Sequence, residues 1–317
     1  MARPEILAAT QLHPLYQKAL EAVFTVHQRA HEGDPAIFAS LAPRIVGLAA
    51  HGETRVSREL LTQLPQLKVV SVFGVGYDGV DVQAAIDLGV PVTHTPGVLS
   101  DDVADLAIGL MLSVARGIAQ ADQHVRQGRW PDGPMPLGRK VSGARLGIVG
   151  LGRIGQAIAQ RAKAFGMDIA YTARTEKAGT GLRYFPDARS LAAAVDFLIV
   201  ITPGGAATRH LINAEVLQAL GPTGFLVNVA RGSVVDEAAL IRALRDGVIA
   251  GAGLDVFANE PQVPQELRSM PQVVLTPHMA SATHQTRQAM ADLAFANLQA
   301  GVSGQALLTP VPECQAA

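Results

Sequence analysis

An α/β fold with two parallel sheets is predicted for this chain, and three observations predict it. Short apolar runs of strand length alternate with amphipathic segments of helical period along the sequence. One long apolar helix after residue 99 and a Pro/Gly-rich loop over 131–136 interrupt that alternation and set two βα series apart. The length of 317 residues favours about two domains.

The first series opens with the buried-strand run Ile6-Leu7-Ala8-Ala9. A helix over 14–24 follows, then the strand Ile45-Val46-Gly47-Leu48-Ala49, a helix over 57–64 and the strand Val69-Val70-Ser71-Val72-Phe73. A helix over 81–88 and the short strand Val90-Pro91-Val92-Thr93-His94 complete it. Near-continuous apolar runs separated by helices are what parallel strands covered on both faces require. The next helix starts at Ser100, a good N-cap, with Asp101 and Asp102 in its first turn, where acids oppose the helix dipole favourably. Its apolar positions run through Val103, Leu106, Ala107, Leu110, Met111 and Val114, and the helix is expected to reach about Gly128. Over Ala107-Ile108-Gly109-Leu110-Met111-Leu112 it is apolar on more than one face, which predicts a subunit interface there.

The second series has six expected strands, at 145–150, 168–173, 197–202, 225–230, 250–255 and 273–276, with helices at 153–165, 213–219, 236–246 and 281–300. The last helix ends too near the C-terminus to begin a third domain, so it is expected to cross back and dock on the first. The predicted organisation is therefore a discontinuous domain over 1–99 and 285–317, with a domain over 100–284 inserted into it.

Composition narrows the function classes. Apolar residues make up 49% and charged residues 17%, enough for cores and too apolar for a disordered chain. Lys+Arg 26 against Asp+Glu 27 leaves no excess charge to recruit nucleic acid or an anionic membrane surface. The single cysteine, Cys314, cannot form an intramolecular disulfide, the start lacks the apolar core of a signal peptide, and the apolar runs are strand-sized. A cytoplasmic protein without membrane spans is the expectation.

Arg145-Leu146-Gly147-Ile148-Val149 reads as a strand, and Gly150-Leu151-Gly152-Arg153-Ile154-Gly155 opens the helix after it. In this strand-turn-helix setting the first glycine permits the tight turn, the second lets backbone approach a pyrophosphate, and the third lets helix pack on strand. The free N–H groups of the helix start complete a dinucleotide site in a Rossmann domain. The next strand ends in Ala173-Arg174-Thr175, where NAD enzymes usually carry an acid for the ribose hydroxyls. A guanidinium there can bind a 2′-phosphate, so NADP(H) is expected over NAD(H); the alternative is that Arg174 is a solvated surface arginine.

Three residues end apolar runs of the same sheet: Arg231 after Phe225–Ala230, Glu260 after Ala250–Phe257, and His278 after Val273–Pro277. A carboxylate near an imidazole raises its pKa from about 6.5 and favours the imidazolium, which can donate a proton to a carbonyl oxygen as a hydride reaches the carbon. Arg231 can grip a carboxylate or polarise the keto oxygen. The alternatives are a structural histidine, a salt bridge from Arg231 to Asp236 or Glu237, and a solvated acid at Glu260 in the Asn259-Glu260-Pro261 turn.

These motifs resemble the D-isomer-specific 2-hydroxyacid dehydrogenases over nearly the whole chain. The resemblance rests on 146–155, on Asn228-Val229-Ala230-Arg231-Gly232-Ser233-Val234-Val235-Asp236-Glu237, on Gly253–Pro261 and on Thr276-Pro277-His278. It implies that His278 is the acid/base, Glu260 its partner and Arg231 the substrate anchor. It implies that Asp255 meets the nicotinamide carboxamide, and that Thr202, Pro203, Val229, Ala230, His278 and Ala280 join the glycine motif, with Arg153 and Ile154, around the cofactor. In Phe73-Gly74-Val75-Gly76-Tyr77 the N–H groups of Val75 and Gly76 would bind the substrate carboxylate, the small glycines allowing a close approach. Leu48, with Ala49, Ala50 and His51, would line the other side of a pocket in the cleft between the domains; His51 is a polar contact or a surface residue.

Thr95–Asp105 and Tyr171–Thr175 look most like the NADPH-dependent hydroxypyruvate, glyoxylate and hydroxyphenylpyruvate reductases. In that group a tryptophan near Trp130 can reach the partner subunit's active site; the alternative is a Trp packed in its own loop. The resemblance implies a homodimer, no metal, and reduction of a small 2-oxo acid of the glyoxylate or hydroxypyruvate type to the D-2-hydroxy acid. A 2-ketogluconate or hydroxyphenylpyruvate reductase is the alternative within the family. A nucleotide-sensing binding protein or corepressor is the alternative outside it. Met279 and Ala280 depart from the family's usual Pro-His-Ile-Gly-Ser pattern, which bears on pocket shape more than on mechanism.

Overall fold

The computed structural model describes residues 3–315. The chain divides into two compact units, one formed by Met1–Leu99 with Ser281–Ala317 and the other by Ser100–Ala280. The first unit runs β1 (Glu5–Ala8), α1 (Pro14–Val23), β2 (Thr25–Gln28), α2 (Pro35–Leu41), β3 (Ile45–His51), α3 (Arg58–Thr62), β4 (Val70–Phe73), α4 (Val82–Asp87) and β5 (Val92–Thr93). The second runs α5 (Ser100–Arg116), α6 (Ile118–Arg126), β6 (Arg145–Val149), α7 (Arg153–Ala164), β7 (Asp168–Thr172), β8 (Arg183–Phe185), α8 (Ala188–Ala192) and β9 (Phe197–Val200). It continues with α9 (Ala214–Leu220), β10 (Phe225–Asn228), α10 (Glu237–Arg245), β11 (Gly251–Leu254), α11 (Gln265–Ser269) and β12 (Val273–Leu275). The chain then returns to the first unit with α12 (His284–Val302) and α13 (Pro312–Gln315).

The first unit holds a parallel sheet in the order β2-β1-β3-β4-β5. This is the doubly wound order whose switch point lies between β1 and β3. Helix α12 packs on β3 and β4. A Cβ on Gly47 would stand 3.1 Å from Leu298, and Ser71 Oγ donates to the Ala294 carbonyl at 2.8 Å. Beyond α12, Thr93 and Pro310 pair antiparallel, so residues after 308 cover the exposed edge of β5.

The second unit holds seven parallel strands in the order β12-β11-β10-β9-β6-β7-β8. Counted from β6, this is the Rossmann order with one strand added, and its switch point lies between β6 and β9. Six strands were expected here; β8 is a three-residue edge strand with exposed Arg183, too short to stand out as an apolar run. Likewise β2, Thr-Val-His-Gln, has no fully buried residue and carries no strand signal.

The long helix expected to reach Gly128 is two helices. Gly117 adopts φ 61°, the left-handed conformation that ends helices, and α6 starts after it. The interface expected along this helix is also corrected. Val103, Ala107, Ile108, Leu110 and Met111 are buried within their own unit, against α7 on one side and β10–β11 on the other. Among the described residues, no helix is long and apolar enough to cross a membrane.

Candidate active site

The strand order places β10, β11 and β12 side by side, so the loops after them are neighbours. These loops carry Arg231, Glu260 and His278. The His278 Nδ1 lies 2.7 Å from Glu260 Oε2, and the other carboxylate oxygen, Oε1, accepts the Phe257 N–H at 3.0 Å. Burial pushes the Glu260 carboxyl up. The hydrogen bonds from His278 and Phe257, and the charges of His278 and Arg231, outweigh that and hold it below its ordinary value. An ionised Glu260 can only accept, so Nδ1 is the protonated nitrogen of the pair.

Arg231 follows Asn228, a buried side chain that clamps the turn. Its Nδ2 donates to the Arg231 carbonyl at 3.0 Å and its Oδ1 accepts the Ala230 N–H at 3.1 Å. Arg231 Nη1 folds back to the Ala230 carbonyl at 2.7 Å. A Cβ on Gly232 would lie 1.8 Å from the Phe257 carbonyl oxygen, so only glycine lets the Arg231 turn press against the turn that leads to Glu260. Asp236 caps α10 through the Ala239 N–H, and Glu237 accepts the Ala258 N–H, so both acids considered as partners of Arg231 have backbone roles.

Asp255 is 0% exposed, and its carboxylate faces the His278 loop. Oδ1 accepts from Thr276 Oγ1 at 2.6 Å and the Met279 N–H at 2.8 Å, and Oδ2 accepts the Ala280 N–H at 3.0 Å. The Asp255 carbonyl accepts the His278 N–H at 2.8 Å. Asp255 thus grips the loop on both sides of His278, which is held at φ 49°, a conformation uncommon for any residue but glycine. Burial raises the Asp255 carboxyl above its ordinary value, although the three donors oppose the shift.

The glycine motif lies at the switch point between β6 and β9. Gly150 has φ 103°, and a Cβ on Gly155 would lie 2.2 Å from the Gly150 carbonyl, so α7 packs directly on the turn. Gly152 is the N-cap of α7, leaving Arg153 and Ile154 in its first turn. Thr202 and Pro203 follow β9 across the switch point, Thr202 half-buried and Pro203 exposed, whereas Val229, Ala230 and Ala280 are buried. After β7, Ala173 is half-buried and Thr175 exposed. Arg174 is exposed, and no other described residue hydrogen-bonds or pairs with it. The glycine cradle and this guanidinium fit a dinucleotide carrying a 2′-phosphate.

In the first unit the turn Gly74-Val75-Gly76 follows β4 and is half-buried. Leu48, expected to line a pocket, is 0% exposed and belongs to the core of its unit, because side chains of a strand covered on both faces point into packing. His51 is neither a free polar contact nor a surface residue. Its ring nitrogens lie 3.4 Å from the Phe73 carbonyl and 3.2 Å from the Gln11 carbonyl, and burial lowers its pKa. Trp130 is 70% exposed, so it is not packed in its own loop.

The sequence from 108 to 280 matches the family model for the D-isomer specific 2-hydroxyacid dehydrogenase, NAD binding domain. Among curated relatives, the hydroxyphenylpyruvate reductase of Plectranthus scutellarioides is 48% identical over 270 residues, 85% of this chain and 86% of that one. The 2-ketogluconate reductase of Gluconobacter oxydans is 43% identical over 310 residues, 98% of this chain and 99% of that one. Among solved structures, an NADPH-dependent glyoxylate/hydroxypyruvate reductase from Sinorhizobium meliloti, in complex with NADP and malonate, superposes with a TM-score of 0.93 at 49% identity, covering 99% of this chain and 98% of that one. With a Rossmann sheet, a glycine cradle and an Arg-Glu-His constellation at its strand ends, the chain belongs to the D-isomer specific 2-hydroxyacid dehydrogenase family of oxidoreductases.

Proposed function

We propose that this protein is an NADPH-dependent reductase of a small 2-oxo acid of the glyoxylate or hydroxypyruvate type, making the D-2-hydroxy acid. The observation that carries this reading is the His278–Glu260 pair at 2.7 Å on the loop beside Arg231. Bound NADPH supplies a hydride to the substrate's carbonyl carbon. His278 Nε2 gives its proton to the carbonyl oxygen, and Glu260 stabilises the positive ring before that step and orients it afterwards. Arg231 steadies negative charge on the substrate's carboxylate or on the oxygen as it is reduced. The N–H groups of Val75 and Gly76 receive the carboxylate. Arg174 and Thr175 receive the 2′-phosphate of the cofactor.

The names of the relatives divide among glyoxylate/hydroxypyruvate, hydroxyphenylpyruvate and 2-ketogluconate reductases, so the substrate is assigned by a panel. Purified protein is mixed with NADPH and, separately, each of these acids, and loss of NADPH absorbance is followed; NADH runs in parallel. Turnover of glyoxylate and hydroxypyruvate above the others supports the proposal. A rank order led by 2-ketogluconate moves it to that substrate, and binding of NADPH without turnover of any acid favours a sensing role. His278→Asn should lower kcat by about 100-fold or more, in line with the loss of a general acid, with NADPH affinity kept; near-normal turnover would remove His278 from the mechanism.

A homodimer is part of the same proposal. It is supported by the exposed apolar side chains Ile118, Val125, Trp130 and Leu137, which follow one another over α6 and the loop after it. A cytoplasmic location is supported by the single cysteine, which forms no disulfide.

A further inference from the structure

The turn Gly74-Val75-Gly76 is pinned from behind. The Gly74 carbonyl accepts the Thr95 N–H at 2.8 Å, and the Val75 carbonyl lies 2.9 Å from His94 Nδ1. A carbonyl can only accept, so His94 carries its proton on Nδ1 and donates it. Each of these carbonyls shares a peptide group with the next residue's N–H. Gly74 C=O is bonded to Val75 N, and Val75 C=O to Gly76 N. The Val75 and Gly76 N–H groups themselves have no hydrogen-bond acceptor among the described residues.

Glycine on both sides of Val75 makes this backbone easy to rotate. A rotation of the Val75–Gly76 peptide would carry its N–H away from any bound anion, and the bond from His94 opposes it. A peptide whose carbonyl accepts a hydrogen bond is also a stronger donor at its N–H.

His94 is itself locked in place. Its N–H donates to the Thr309 carbonyl at 3.1 Å, and its carbonyl accepts from Thr309 Oγ1 at 2.6 Å. Thr309 is gripped by Asn297, a wholly buried side chain of α12 whose Nδ2 reaches Thr309 Oγ1 at 2.7 Å and whose Oδ1 accepts the Thr309 N–H at 3.0 Å. The ring of Tyr77 stands edge-on to the His94 ring, centroids 5.3 Å apart, and its hydroxyl donates to Glu313 at 3.0 Å. The segment after α12 therefore fixes the histidine that fixes the turn.

We propose that His94 is a positioning residue for substrate binding: it holds the Val75–Gly76 peptide in the orientation that presents the Gly76 N–H to the substrate carboxylate. This rests on the reading that the Val75 and Gly76 amides receive that carboxylate. A histidine that only fills space would serve equally well as another planar or apolar side chain; one that donates to the Val75 carbonyl would not.

The experiment compares wild type with His94→Phe and His94→Leu, which lack the donor, and His94→Asn, whose amide can donate from nearly the Nδ1 position. Each is assayed with glyoxylate and NADPH, with the neutral methyl ester of glyoxylate as a control, and its thermal unfolding is recorded. Phe and Leu should raise the KM for glyoxylate about five- to tenfold, the effect of one lost hydrogen bond. They should change kcat less than about twofold and leave the KM for NADPH unaltered, and Asn should restore the glyoxylate KM. Wild type should use the ester poorly, and the donorless variants should lose no further rate on it. Wild-type KM for glyoxylate in Phe and Leu, or equal impairment in Asn, overturns the proposal. So does failure of both donorless variants to fold while Asn folds, since His94 would then serve stability. A wild type that turns over ester and acid alike sinks the carboxylate reading itself, a result separate from any effect of His94.

Discussion

Replacing Asp255 by Asn tests what this buried acid does. The carboxylate offers two acceptors to three donors: Thr276 Oγ1 and the Met279 N–H on one oxygen, and the Ala280 N–H on the other. An asparagine keeps the shape and one acceptor. In either amide orientation its NH2 group faces the N–H of Met279 or of Ala280, donor against donor. A buried N–H left without an acceptor costs about 1–3 kcal/mol, and exchange of a charged for a neutral acceptor weakens the bonds that survive. The loop must also hold His278 at φ 49°, a strain of roughly 1 kcal/mol or more that the Asp255 contacts offset. A net loss of about 2–4 kcal/mol follows, enough to let the imidazole leave its productive position for much of the time.

The assay is steady-state reduction of glyoxylate with NADPH saturating, alongside direct NADPH binding and thermal unfolding. Asp255→Asn should lower kcat at least about tenfold, lower the unfolding temperature, and leave NADPH affinity within about threefold. The opposite pattern, weak NADPH binding with kcat preserved, would refute the reasoning. It would return Asp255 to the nicotinamide contact that the family resemblance implies.

Three further outcomes are expected. Arg174→Asp should raise the KM for NADPH about 10- to 100-fold, the worth of a charge-assisted contact, and leave NADH use unchanged or improved; equal effects on both cofactors would make Arg174 a surface residue. Glu260 has a folded pKa below its ordinary 4.5, so it contributes stability that is present above pH 4.5 and is lost as pH falls through the folded value. Unfolding scans at stepped pH should therefore show wild type exceeding Glu260→Gln near neutrality, the gap closing on the acid side; a gap independent of pH would contradict the ionised His278–Glu260 pair. Light scattering on eluting protein should give twice the mass of the 317-residue chain, and Trp130→Asp combined with Leu137→Asp should shift it toward one chain; a wild-type monomer removes the dimer proposal.

Much of the fold was legible in the sequence because parallel strands covered on both faces are written as uninterrupted apolar runs. Leu226-Val227 and Leu198-Ile199-Val200 are wholly buried, as central strands of a sheet covered on both faces are. The elements that escaped are those whose burial is slight. Strand β2 lies at the edge of its sheet and β8 at the edge of the other, and each needs a partner on one side only. The break at Gly117 was hidden because helix-period apolar residues continue past it; one glycine in such a run is as often tolerated as it is a stop. The second apolar face of α5 was misread for a related reason. Periodicity reports how much surface must be covered, and says nothing of whether α7 or a second subunit covers it.

The site was legible in a different measure, set by what each residue type can do. Arg231, Glu260 and His278 carry groups that no packing argument requires at a strand end, so their chemistry was visible before their geometry. Asn228, Asp255 and His94 act on backbone N–H and C=O groups, and a backbone partner leaves no mark on the sequence at the position it occupies. Met279 and Ala280 show the same fact from the other side. They depart from the family's usual residues, yet what the structure takes from each is an N–H for Asp255, which almost any residue supplies. Departures at such positions can reshape the wall beside a substrate while leaving the His278 loop bound as before.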